Sequence, residues 1–279
     1  MSKMTRNALI ALALLLSLSA FTGPGRFDTA PIPLTGSLSG MTLLAHAGGG
    51  IPEGKYSNTL EAFKSSVRHN YKLIETDFSW TKSGELVLTH DWGQRHYEYY
   101  SSWSFLAPAL APFFPQQAKT RADFMAIKMN MGLHQMDLAA LLSFMRAHPG
   151  KKIVTDIKEN NIKALTKIAK LAGDLKSRFI PQIYAPGEYN KVKALGYEAI
   201  IFTAYRSPLS DAALVEFLGQ NKLFALTIPA RRVSAKLVKA AKAHNTPVFT
   251  HTLNTKKEAR KMADMDVAGI YTDYLVPAR

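Results

Sequence analysis

From residue 41 onward, short apolar runs alternate with longer stretches in which apolar residues recur every three to four positions. The first pattern reads as buried strand and the second as amphipathic helix. Strands are expected at 42–47, 73–80, 152–157, 179–184, 198–203, 222–226, 247–252 and 267–272. Helices are expected at 58–70, 137–148, 162–176, 187–195, 210–219, 233–244 and 256–265, with Asp137 as an N-cap. Residues 85–90, after the Ser83-Gly84 turn, read as the edge of a hairpin. Repeated strand–helix units imply a parallel sheet, and eight such strands imply an α/β fold of the TIM type, a closed (β/α)8 barrel. An open doubly wound sheet is the alternative. No Gly-x-Gly-x-x-Gly follows the first strand, however, and Ala47-Gly48-Gly49-Gly50 is only a glycine-rich turn.

The pattern fails in two places. Lys3 and Arg6 precede a run from 8 to 21 made only of Ala, Leu, Ile, Ser and Phe, and no acidic residue comes before Asp28. That arrangement is expected for an export signal, or for an uncleaved N-terminal anchor, over residues 1–21. The expected location is therefore the periplasm or the outside of the cell, with attachment to the membrane if the segment is not cleaved. Residues 22–40, rich in Pro, Gly, Ser and Thr, read as a linker, which leaves 41–279 as the barrel. The second irregular stretch, 92–136, reads as an inserted cap. Within it the run 105–114 is apolar and broken by Pro108 and Pro112. It is either packing material for the cap or a loop that makes peripheral contact with a membrane.

Composition narrows the chemistry. With 47% hydrophobic and 20% charged residues over 279 positions, the chain has material for a large core and is not disordered. It contains no cysteine, which removes disulfides, thiolate metal sites and cysteine nucleophiles. Any metal ion must be held by His, Asp, Glu or carbonyl oxygen. The net charge of +14 calls for an anionic partner. The basic residues Lys236, Lys239, Lys242, Lys256, Lys257, Arg260 and Lys261 follow the solvated faces of the late helices. No nucleic-acid surface is expected from them.

In a barrel of this kind, function sits at the C-terminal ends of the strands. Glu75 and Asp77 are an i, i+2 pair on one strand and share a face. Asp156 and Lys158 repeat that spacing on the next main strand. Three converging carboxylates describe a site for a hard divalent cation, Mg²⁺ or Ca²⁺. The other reading is that Glu75 or Asp77 pairs with a barrel Lys or Arg. His46 and His90 each end an apolar run beside this cluster. Two imidazoles flanking it suit a general acid and a general base acting on opposite sides of one bond. With a cation and Lys158 to receive negative charge, the set fits phosphoester cleavage. Gln182 and His251, at the ends of later strands, read as substrate contacts.

These residues resemble the glycerophosphodiester phosphodiesterase family, within the superfamily that includes phosphatidylinositol-specific phospholipase C. The family's His-Arg-Gly opening looks like His46-Ala47-Gly48, and its Pro-Glu-Asn-Thr helix start looks like Ser57-Asn58-Thr59. Its Glu-x-Asp and His-Asp elements look like Glu75-Thr76-Asp77 and His90-Asp91. Its Glu-Ile-Lys is similar to Asp156-Ile157-Lys158, and its closing Gly-x-x-Thr-Asp to Gly269-Ile270-Tyr271-Thr272-Asp273. The resemblance implies a metal-dependent hydrolase acting on a small, phospholipid-derived phosphodiester. In it His46 and His90 form the acid/base pair, Glu75, Asp77 and Asp156 hold the ion, and Lys158 lies near the phosphate. Three positions depart from the pattern: Ala47 replaces an Arg, Ser57 a Glu, and Asp156 a Glu. Two other readings stay open: a relative that forms a cyclic phosphate, and a degenerate barrel that binds anionic lipid or polymer.

Overall fold

The computed structural model describes residues 31–100, 117–205 and 207–278. In chain order the strands are β1 (Ile32–Pro33), β2 (Thr42–Ala45), β3 (Leu73–Trp80), β4 (Leu86–Leu88) and β5 (Lys152–Ile157). They continue with β6 (Phe179–Ile183), β7 (Ile201–Thr203), β8 (Ala225–Pro229), β9 (Val248–His251), β10 (Gly269–Thr272) and β11 (Leu275–Val276). Strands β2, β3 and β5 to β10 lie side by side and parallel. β10 returns to β2, so the sheet closes into a TIM barrel. β4 adds to β3 as the antiparallel edge that the sequence suggests.

Most of the helices between the strands have chemically capped first turns. Thr59, Asp137, Ser210, Ser234 and Thr255 each accept a backbone N–H three residues on. A cap of this kind satisfies an otherwise orphaned donor and contributes about 1 kcal/mol. The first helix starts at Leu60, later than the periodicity suggests, because Thr59 is the cap and Asn58 turns left-handed (φ 52°). β8 also falls later than expected. Its register against β7, Ile201 opposite Ala225, begins the ladder only where both backbones run alongside.

Two apolar layers support the mouth. Leu44, Leu73, Val154, Ile180, Ile201, Ala225, Phe249 and Tyr271 fill the lower barrel, and a larger cluster seals the helices against its outside. The register then fixes the chemistry above them. Asp77 lies directly opposite Asp156, and Glu75 opposite Val154, on neighbouring strands.

The expected linker over 22–40 falls within the described residues only from 31 onward, and there it is packed onto the barrel. β1 pairs with β11, and Leu34 and Leu38 are buried. The cap contributes helices Gln94–Tyr100 and Arg121–Ala126. The 1–21 segment and the apolar 105–114 run lie outside the described residues. Among the described residues no helix is long and apolar enough to cross a membrane. Because Leu34 is only 1% exposed, Leu34→Ala is expected to cost about 2–5 kcal/mol in urea unfolding. Ser39→Ala, at an exposed position nearby, should cost under about 0.5 kcal/mol. Equal, small effects would mean that this segment contributes nothing to the core.

Candidate active site

The carboxylates of Glu75, Asp77 and Asp156 converge at the barrel mouth, with one oxygen from each within 4.8 Å of the others. Glu75 and Asp77 are almost fully buried. Three anions at this separation repel strongly unless cations balance them. Lys158 supplies part of that balance, with its ammonium 2.8 Å from Asp77 and 3.5 Å from Asp156. The ion pairing expected as an alternative to metal binding is therefore present, but it falls on Asp77 and Asp156 and leaves Glu75 out.

The proton affinities follow from this arrangement. Burial, then the charge of Asp77, pushes Glu75 well above the usual carboxylate range. Burial also works against ionised Asp77, but Lys158 and His90 outweigh it and hold that carboxyl low. Glu75 keeps one anchor, the Ala47 N–H at 2.7 Å. Ala47 is itself left-handed (φ 49°), which turns its peptide toward the carboxylate. An all-oxygen donor set with one carboxylate short of compensation suits a hard divalent cation.

The two imidazoles flank this centre. His46 Nδ1 lies 2.9 Å from Asp273, whose second oxygen accepts Asn254 Nδ2 at 2.8 Å. That pairing aims the opposite nitrogen, Nε2, away from Asp273. Burial opposes charge on His46, but the Asp273 hydrogen bond and the nearby Glu75, Asp273 and Asp77 lift it to about 9. His90 is more exposed, and its Nδ1 is held by Asp91 at 2.7 Å.

The structure therefore brings together His46, His90, Glu75, Asp77, Asp156 and Lys158. Gln182 is buried beside the cluster but turns away from it, its side-chain oxygen accepting from Tyr271 at 3.4 Å. It is Tyr184, two residues on, that reaches the cluster and donates to Asp156 at 2.5 Å. His251 packs edge-on against Tyr205 and Tyr271 at the rim. Burial keeps it neutral, lowering it to about 4.

Asn58 carries more than the sequence showed. Its amide donates to Asp77 at 3.0 Å and its oxygen accepts from Thr76 Oγ1 and the Asp77 N–H. The helix-start motif contained this residue, but only its left-handed backbone shows why it faces the carboxylates. Ser57, where the family has Glu, bonds its neighbour Thr59 instead. The shorter Asp156 still meets the other two carboxylates, held by Tyr184 and Lys158.

A family model described as the glycerophosphoryl diester phosphodiesterase family matches residues 46–179 and 134–276. The chain belongs to this family. Like its members, it is a phosphodiesterase. The solved structures similar to it include a glycerophosphodiester phosphodiesterase from Thermotoga maritima, with 20% identity and a TM-score of 0.63 over 84% of this chain and 95% of that one. One from Parabacteroides distasonis shows 16% identity and a TM-score of 0.63 over 84% and 93%. A phosphodiesterase from Oleispira antarctica, solved with the product sn-glycerol-3-phosphate, shows 18% identity and a TM-score of 0.61 over 85% and 95%. A search of curated proteins gives no match.

The raised affinities of Glu75 and His46 make the metal-free fold sensitive to alkali. Folded Glu75 keeps a proton that the unfolded chain releases above about pH 4.3, and folded His46 keeps one that the unfolded chain releases above about pH 6.5. The buried, neutral His96 and His251 work the other way, but only below about pH 6.5, where the unfolded chain would protonate them. Above that the folded state binds more protons than the unfolded one, so stability falls as pH rises from about 7 toward 9. Urea unfolding of metal-free protein at a series of pH values should show this slope, and Glu75→Gln should flatten its lower half. A stability that rises over the same range would contradict these assignments.

Proposed function

We propose that this phosphodiesterase hydrolyses a glycerophosphodiester-type bond to an alcohol and a phosphomonoester, and that it depends on a divalent cation, Mg²⁺ or Ca²⁺. The observation that carries the reading is the convergence of three carboxylates and Lys158 between two imidazoles, each held by its own aspartate. Glu75, Asp77 and Asp156 would hold the ion, which when bound supplies positive charge to phosphate oxygens. Lys158 adds a second positive charge on the same side.

The protein's own groups do the rest. His46 and His90 divide the two proton transfers, one taking a proton from the attacking oxygen and the other giving one to the departing oxygen. Asp273 and Asp91 fix the tautomer and direction of each ring. Two clefts, each about 470 Å³, meet at Lys158. One is lined by Trp80, His90, Asp91 and Trp92, the other by Asn160, Asn161, Lys163 and Tyr184. A diester needs room on both sides of its phosphorus, and this layout offers it. The product bound to the Oleispira antarctica relative supports a glycerol phosphate as one half. Attack by water separates this reading from cyclic phosphate formation. A degenerate binding barrel is disfavoured by the survival of both imidazoles, each paired with an aspartate, beside the carboxylate cluster. Export of the chain belongs to the same proposal, on the strength of the residue 1–21 pattern.

The test is a panel of glycerophosphodiesters against Mg²⁺, Ca²⁺ and chelator, with products read by phosphorus NMR. Turnover should vanish with chelator and return with one of the ions. His46→Ala and His90→Ala should each lower kcat by about 10²–10⁴-fold. Glu75→Gln should weaken metal binding by calorimetry. Full activity of all three variants would defeat the proposal, and a cyclic product would transfer it to the lyase reading.

A further inference from the structure

Between the two imidazoles stands a residue to which the reaction assigns no part. The ring of Tyr56 meets His46 edge-on, centroids 4.5 Å apart at 82°, and meets His90 at 5.6 Å and 89°. Its backbone is left-handed (φ 63°), an uncommon and costly conformation for a bulky aromatic residue. Such strain persists where the surroundings over-determine it, and it clusters at functional sites.

The surroundings here are the cap. Arg95 lays its guanidinium 4.3 Å from the centre of the Tyr56 ring, and Glu98 holds the far side of that guanidinium at 2.7 Å. Tyr99, one turn along the same helix, donates its hydroxyl to the carbonyl of Lys55. A side chain at Gly54 would strike that hydroxyl, so the loop approaches the helix closely just before Tyr56. Ile51 and Tyr99 share a small apolar cluster with Met129 and Leu133, which fastens the base of the loop. Asp91 completes the connection. One of its oxygens holds His90, and the other accepts the N–H groups of Gly93 and Arg95 at the start of the helix.

We propose that Tyr56 is a positioning residue: its ring, clamped by Arg95 and Tyr99 of the cap helix, sets the spacing and mutual orientation of His46 and His90. The inference rests on the reading that these two imidazoles carry the protons. Neither imidazole contacts the other, so each aspartate fixes one ring without fixing the pair. An aromatic spacer with two perpendicular contacts does fix the pair. The inserted cap then acts on the chemistry through this ring. The ring, rather than the hydroxyl, carries the effect.

The experiment compares Tyr56→Phe, Tyr56→Ala and Arg95→Ala in the full chain by steady-state kinetics, and follows the imidazole ring-proton resonances of His46 and His90 by NMR. Tyr56→Ala should shift both sets of resonances and lower kcat about 100-fold, the scale of a misplacement near 1 Å. KM should stay within about threefold, since the ring is not assigned a substrate contact. Tyr56→Phe should retain the resonances and most of kcat. Arg95→Ala should give a smaller loss that adds little once Tyr56 is Ala. If Tyr56→Ala does not fold, Tyr56→Leu, which keeps bulk without the ring, replaces it with the same expected readings. Unmoved resonances, an unchanged kcat, a loss confined to KM, or a Phe variant as impaired as Ala would each overturn the proposal. A wild-type protein inert toward every diester would overturn the functional reading instead, while the resonances would still test the positioning of the rings.

Discussion

Like charge gathered in a poorly hydrated place organises the mouth of this barrel. Three carboxylates meet there because two neighbouring strands place Asp77 opposite Asp156 and Glu75 one inward step below. Almost every polar feature around them answers that concentration of charge. Lys158 bridges Asp77 and Asp156, Asn58 adds a second donor to Asp77, the Ala47 peptide donates to Glu75, Tyr184 ties down Asp156, and Glu75 and Asp77 add to the pull of Asp273 that raises the proton affinity of His46. None of these groups has an evident reason to be buried except the acids they serve. The apolar layers below and outside the barrel make that burial affordable.

Substitutions within the family's pattern make sense in the same terms. Replacing Arg by Ala at position 47 removes a cation, yet the peptide N–H still anchors Glu75, a task that depends on a left-handed backbone and not on the side chain. Replacing Glu by Ser at position 57 removes an anion from an environment already rich in them. Together the two changes leave the formal charge of the pair as it was.

The barrel was legible because its signals are periodic. Alternating strands and capped helices repeat through the chain, and the i, i+2 spacing of Glu75 with Asp77 and of Asp156 with Lys158 shows which side chains share a face. The six residues that converge were all visible in this way. Direction was harder to read. Gln182 lies on β6 and Tyr184 just past its end, and sequence could not say that the first would turn to Tyr271 while the second reaches Asp156. Pairings across long separations were also hidden, such as His46 with Asp273, as were those that need a left-handed backbone, such as Asn58 and Tyr56. Propensity gives no reason to expect a tyrosine at φ 63°, so the residue between the histidines carried no signal at all. The segment read as a linker misled for a related reason. Pro, Gly and Ser describe a chain without periodic structure, but Leu34 and Leu38 are enough to bind it to the core.

The matched positions of Asp77 and Asp156 bear on how the barrel forms. Side chains alternate along a strand, so a slip of a single residue between these two neighbours would send one carboxylate to the outer face. The acidic centre therefore exists only in chains that have closed their sheet in the native alignment. Any ligand selective for that acidic centre, such as the divalent cation of the proposed function, would favour those chains over misaligned ones by mass action.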